Sequence, residues 1–215
     1  CPMEITVTLI ITIITVITSI MGFSNQKIID DLIFYGPAIS RHNQYYRFIT
    51  HGLIHADVMH LAFNMIAFYS FGKYLETFFF ADPNIFGAQA KIYFTVLYVG
   101  GLIIASIPDY LKHKDDYHFR SLGASGAVSA IIFASIVLYP TLPISIMFIP
   151  YGIPGWIFGL LYIFISAYLD RQGGGRINHG AHLWGAFFGI AFTIVFVSLK
   201  GNIDLWQNFI YQIKR

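Results

Sequence analysis

Apolar residues in this chain do not alternate, nor do they recur only at every third or fourth position. They run in long unbroken stretches separated by short polar ones. Six runs stand out, roughly Ile5–Gly22, Val58–Phe80, Ile92–Ile107, Ala124–Tyr139, Ile149–Leu169 and His182–Leu199. A helix that is hydrophobic all round is buried in a large core or in lipid, and about 20 mostly apolar residues cross a bilayer. The pattern predicts an all-α integral membrane protein, a bundle of six transmembrane helices forming one domain over residues 1–215. The connector 23–50 mixes Phe34, Tyr35, Tyr45 and Tyr46 with Asp30, Asp31 and Arg41, a composition suited to the headgroup region. Residues 108–122 are polar and expected in water, whereas 140–155 carry four prolines and no charge, which predicts a bent hinge entering the fifth span. Gly173, Gly174 and Gly175 predict a flexible loop. The tail 202–215 has a broad apolar face and reads as a helix lying on the bilayer surface.

Composition agrees. Of 215 residues, 56% are hydrophobic and 11% charged, where a soluble domain carries about 25% charged residues. Membrane lipid is thus the main solvent. A net charge of +2 provides no basic field for nucleic acid, so no such partner is expected. The lone Cys1 excludes internal disulfides and cysteine-rich metal sites. Cys1-Pro2 reads as an appended pair ahead of a start at Met3, and the first span lacks the basic leader and cleavage site of a signal peptide. With the N-terminus inside, five Lys and Arg fall on the cytoplasmic side and eight outside, so the charge rule favours the opposite orientation.

Ionisable and polar residues inside a span are costly and point to function. Three spans hold them. HADVMHLAFN contains His55, His60 and Asn64, the last two stacked on one helical face. GASGAVSA contains Ser125 and Ser129, and NHGAHLWG contains His179 and His182. Any one of these alone reads best as a residue gripping a neighbouring helix; three sets in three spans point to a common site. Ala181, Gly185 and Gly189 recur every four residues, and Gly126 and Ala130, with Gly123 at the entrance, form a matching stripe. Where two such stripes meet, backbones approach closely, and Ser125 can face His182. An imidazole within reach activates a serine hydroxyl as nucleophile. His60, Asn64 and the Ser125 N–H are candidate donors to the oxyanion that attack on an amide creates. No carboxylate lies near His182 in sequence, so the expected unit is a Ser–His dyad. His55, Ala124 and Gly123 would border it. A wet cavity in the outer third of the membrane, closed below by Phe63, Phe187 and Phe188, would supply water.

With HADVMHLAFN, GASG and AHLWG in that order in separate spans, the chain resembles the rhomboid intramembrane serine proteases. The resemblance implies Ser125 as nucleophile, His182 as general base, and His60 and Asn64 lining the oxyanion hole. It implies structural roles for Arg47 in the connector and Glu76 ending the second span; Tyr46 stands where a Trp is typical. It further implies a lateral gate at Trp156 and the fifth span, a flexible cap at Gly173–Gly175, and cytoplasmic termini. The expected partners are transmembrane protein substrates. A multi-pass, minimal bacterial form in the cytoplasmic membrane is the expected setting.

Two other readings compete. A catalytically inactive rhomboid-like protein would bind or escort membrane helices, but would normally lack Ser125 or His182. A His-ligated metal enzyme would use H-x3-H pairs such as His51 and His55, yet no second such cluster and no H-E-x-x-H occurs. No metal or cofactor is therefore expected, and His51, His113, His118 and His179 read as interface or structural residues.

Overall fold

A computed structural model describes residues 5–145, 151–173 and 177–214. Each of the six apolar runs holds a long helix. These are α1 (Val7–Ser24), α5 (Val58–Tyr74), α6 (Ala90–His113), α7 (Ser125–Leu138), α8 (Gly155–Gln172) and α9 (His179–Lys200). The connector folds into α2 (Gln26–Leu32), α3 (Gly36–His42), α4 (Arg47–Thr50) and a 3-10 turn, His51–Leu53. A short α10 (Leu205–Ile213) follows α9. Val7–Ser24, Gly87–His113 and His179–Lys200 are long and apolar enough to cross a bilayer.

The burial pattern is that of a protein dissolved in lipid. On α1 the buried residues are Thr8, Thr15, Ser19 and Gly22, while Ile10, Ile13, Ile14, Ile17 and Ile20 face outward. Against hydrocarbon an isoleucine gains nothing by burial, so small residues that permit close packing take the interface instead. The same inversion recurs on α8, where Gly155, Gly159 and Ser166 are buried and Leu160, Leu161, Phe164 and Ile165 are exposed.

At the centre stands α7. Twelve of its 14 residues are buried, which makes it the post around which α5, α6, α8 and α9 pack. The α7–α9 contact is backbone to backbone. A Cβ on Gly185 would strike the Gly126 carbonyl, and one on Gly189 would strike the Ala130 carbonyl. On the other flank, a Cβ on Gly101 would lie 2.9 Å from Ala127 Cα, and one on Gly126 would lie 2.5 Å from Ala105 Cβ.

Polar groups pin the periphery. Buried Arg47 donates from Nη1 to the Asp30 and Ile33 carbonyls at 2.8 and 2.7 Å, and from Nε to Gln44 Oε1 at 2.7 Å. One guanidinium thereby ties α2, the turn after it and α4 together. Below α5, a π-helical turn at Leu75–Phe79 carries Glu76, which is 2% exposed. Its carboxylate accepts from Val7 N, Thr8 N and Thr8 Oγ1 at 2.7–2.9 Å, satisfying orphan donors at the N-terminus of α1 where negative charge is favoured.

The connector, for which composition gave only a headgroup setting, is largely helical. Two expectations change. Residues 108–113, expected in a polar loop, continue α6 through Pro108, and the rest of that segment is braced. Ser121 pairs with Phe34 through two backbone hydrogen bonds, and Arg41 meets Asp115 at 3.5 Å. The His118 N–H and the His113 ring hold the Asp116 carboxyl below its usual range. Between α7 and α8, β1 (Pro143–Ile144) pairs antiparallel with β2 (Ile153–Pro154) in place of a simple bend. The expected start of span five at 149, and Gly174 and Gly175 of the expected cap, lie outside the described residues, as do Cys1 and Pro2. The tail helix α10 is docked as well as superficial: Asn208 and Gln212 both donate to the Leu138 carbonyl at the end of α7.

Candidate active site

The loop before Ser125 is held from two sides. Gly123 has φ +111°, a conformation natural to glycine. A Cβ there would lie 2.7 Å from His60 Cε1, so the missing side chain also leaves room for that ring. Gly123 N donates to the His51 carbonyl at 2.9 Å, and Ala124 N donates to His55 Nε2 at 3.5 Å.

The tautomer of His55 follows from its partners. Ser19 Oγ donates to the Leu53 carbonyl at 3.0 Å, so toward His55 Nδ1, also at 3.0 Å, it must accept. Nδ1 then carries the proton, and the Nε2 lone pair is left for Ala124. Burial, with His60 and His51 adding to it, pushes the His55 pKa down to about 3; burial brings His51 to about 4. Both rings are neutral structural acceptors or donors rather than titrating groups near pH 7.

His60 sits in the first turn of α5, whose N-cap Asp57 accepts from His60 N at 2.8 Å. Its Nδ1 faces Ala56 N at 3.5 Å, which leaves Nε2 as the protonated nitrogen, turned toward Gly123. His55 and His60 meet edge to face at 4.9 Å. One turn further, buried Asn64 gives one amide hydrogen to the His60 carbonyl at 3.0 Å and retains a second.

Half-buried Ser125 opens α7, and half-buried His182 lies in the first turn of α9. Ser129 Oγ donates to the Ser125 carbonyl at 2.9 Å and therefore accepts from the Tyr162 hydroxyl at 2.6 Å. The Tyr162 ring stacks on His182, with centroids 6.1 Å apart and planes 28° from parallel. The His179 ring meets His182 edge-on at 5.7 Å. One tyrosine thus links the residue that opens α7 to the imidazole on α9, across the seam where Gly126 meets Gly185.

His55 and His60 contact each other and the Gly123–Ala124 loop, and the Ser125 carbonyl, rather than its hydroxyl, connects through Ser129 and Tyr162 to His182. Arg47 and Glu76 lie apart, in the connector and at the foot of α5. Ala181 reaches the seam through its carbonyl, 3.4 Å from where a Cβ of Gly126 would stand. Two of the expected floor residues do not close anything. Phe63 is 48% and Phe187 46% exposed; each faces outward because lipid accepts a phenyl ring as readily as the bundle does. Phe188 alone points inward, against Gly100 and Phe192. Among the described residues, no three His, Cys, Asp or Glu side chains converge as a metal-binding set. Ser106, whose Oγ lies 3.0 Å from His51 Nε2, Ser19 and Tyr162 were not legible in the sequence as partners of these histidines. Isolated hydroxyls in apolar helices carry no periodic signal, and Tyr162 is one aromatic among many.

Fold and composition define an integral membrane protein made of helices. The Rhomboid domain model matches residues 42–199, and the chain belongs to the rhomboid family. It is 29% identical over 154 residues to RHOMBOID-like protein 12, mitochondrial, of Arabidopsis thaliana, covering 64% of this chain and 42% of that protein. It is 26% identical over 166 residues to the human presenilin-associated rhomboid-like protein, mitochondrial, covering 72% and 37% respectively. With rhomboid-like protein 15 of Arabidopsis thaliana it shares 32% identity over 117 residues, covering 52% and 27%. The chain thus spans about two fifths or less of the length of these relatives.

Proposed function

We propose that the chain is an intramembrane serine endopeptidase with six spans, cutting peptide bonds in or near transmembrane helices of other membrane proteins. The observation that supports this reading is the placement of Ser125 and His182 in the first turns of α7 and α9, either side of the seam where Gly126 meets Gly185, with Ser129 and Tyr162 connecting the Ser125 carbonyl to the His182 ring. In the proposed reaction, Ser125 Oγ attacks the scissile carbonyl while His182 takes its proton. His182 then returns that proton to the leaving amine, and water hydrolyses the acyl-enzyme by the same route. His60 Nε2–H, the spare Asn64 N–H and the Ser125 N–H receive the oxyanion, each such donor being worth about 3–4 kcal/mol in the transition state. Among the described residues no carboxylate is paired with His182 to orient it. Stacking on Tyr162 and the edge of His179 supply that constraint instead.

The helix geometry supports a site below the surface. At 1.5 Å per residue α7 is about 21 Å long, less than the hydrocarbon thickness of about 30 Å, so its N-terminus and Ser125 can lie at a depth reached by a substrate helix. That helix must unwind locally to present its backbone, which favours small or helix-breaking residues near the cut. The reaction needs no cofactor or metal. The bacterial cytoplasmic membrane expected from the sequence has no support in the curated relatives, which are mitochondrial or plant proteins.

The test is cleavage of a single-span substrate by the detergent-solubilised protein. Ser125→Ala and His182→Ala should each abolish cutting, and a chelator should leave it unchanged. An active Ser125→Ala variant together with loss on chelation overturns the serine mechanism. A folded wild-type protein that binds the substrate helix, cuts nothing and resists fluorophosphonate labelling instead establishes the escort reading.

A further inference from the structure

We propose that Asp109 and Asn178 form a positioning clamp that sets the height of His182 relative to Ser125; this rests on the serine–histidine reading above. Asn178 is the N-cap of α9, four residues before His182. Its side-chain Oδ1 accepts from Ala181 N at 2.9 Å, and its backbone carbonyl accepts from His182 N at 3.3 Å. Both ends of this one residue hold the turn that carries the imidazole. The remaining group, Nδ2, donates to Asp109 Oδ2 on α6 at 2.5 Å and reaches Ser121 Oγ at 3.3 Å.

These partners are the reason for assigning more than an ordinary cap. Asp109 lies one turn beyond Ala105, whose methyl fills the space a Cβ on Gly126 would need. A further turn back, Gly101 lies against Ala127. The same face of α6 therefore touches the first turn of α7, beside Ser125, and grips the first turn of α9, beside His182. Ser121, four residues before Ser125, is itself fixed by its backbone pairing with Phe34. In lipid, apolar contacts between α7 and α9 resist separation better than sliding, because hydrocarbon replaces a lost side-chain contact at little cost. A charge-assisted hydrogen bond is directional and short-ranged, so it can set the register that the glycine seam leaves free. Displacing a reacting group by about 1 Å can lower a rate on the order of 100-fold.

Purified full chains are compared as Asp109→Ala, Asn178→Ala, the exchange Asp109→Asn with Asn178→Asp, Ser125→Ala and His182→Ala. The readouts are kcat and KM on a single-span substrate and the rate of fluorophosphonate labelling. Each alanine variant should lower kcat and the labelling rate by roughly 10- to 100-fold with KM unchanged. The exchange reverses donor and acceptor, keeps a good N-cap at 178 and should restore both rates. Wild-type kcat in the two alanine variants, or a raised KM with unchanged kcat, overturns the clamp. If the alanine variants do not fold, the exchange decides: folded and active supports the clamp, folded and slow overturns it. An inactive Ser125→Ala and His182→Ala beside an unaffected Asp109→Ala removes the clamp alone, whereas an active His182→Ala removes the underlying reading as well.

Discussion

Single side chains do unequal work here, and the buried histidines of the connector show how. His51 and His55 are held neutral, with pKa values near 4 and 3 against an ordinary 6.5. Between those values and 6.5 the unfolded chain binds protons that the folded one refuses, so stability is full above about pH 6.5 and falls as the pH drops. The slope is up to about 1.4 kcal/mol per pH unit for each ring. Denaturation of the solubilised protein between pH 7.5 and 4.5 should show this fall, and His55→Gln should lessen it; a flat profile in the wild type contradicts the neutral state of these two buried rings. At this scale the sequence was readable where a polar residue interrupted an apolar run with a partner in register, as with His60 and Asn64. It was not readable where the partner came from a distant helix. Nothing in the spacing joins Ser19 to His55, Ser106 to His51 or Tyr162 to His182.

Among elements, the seam between α7 and α9 governs approach distance. The four-residue recurrence of Ala181, Gly185 and Gly189 made it legible, because a helix brings such positions onto one face. Gly185→Ala should therefore lower stability by about 1–3 kcal/mol, the usual cost of forcing extra volume into a packed interface. It should also slow labelling of Ser125 by spreading α7 from α9. Gly87→Ala, at a positive φ but with open space around it, would instead cost backbone strain without touching labelling, which makes it the matched control. The connector helices and the β1–β2 pairing left no signal for a different reason. Segments of four to seven residues are stabilised by tertiary contacts, here Arg47 and the 143–154 pairing, and leave little periodic trace. The helical extension at 108–113 was missed because a proline and a run of charges mimic a loop.

For the whole molecule, burial is graded from the central post outward. Twelve of 14 residues are buried on α7 but only three of 18 on α8. Hydrogen exchange in detergent should accordingly be slowest in α7 and fastest, among the six long helices, in α8. Equal protection of the two would contradict the graded packing. The same gradient marks α8, among the six long helices, as the one whose displacement disturbs the least structure. Tyr162 lies on α8, so outward movement of that helix would also unstack the His182 ring.

The attachment of α1 carries a broader consequence. Glu76 catches its lower end and the Ser19–His55–Leu53 group its upper end, with Thr15 buried between them and the isoleucines turned outward. Two anchors so far apart act like the marks of a vernier: a shift of even one residue breaks both at once, with no intermediate position where either can re-form. The helix is therefore indexed rather than merely adhered, and bilayers of unequal thickness should tilt or deform around it before they can slide it.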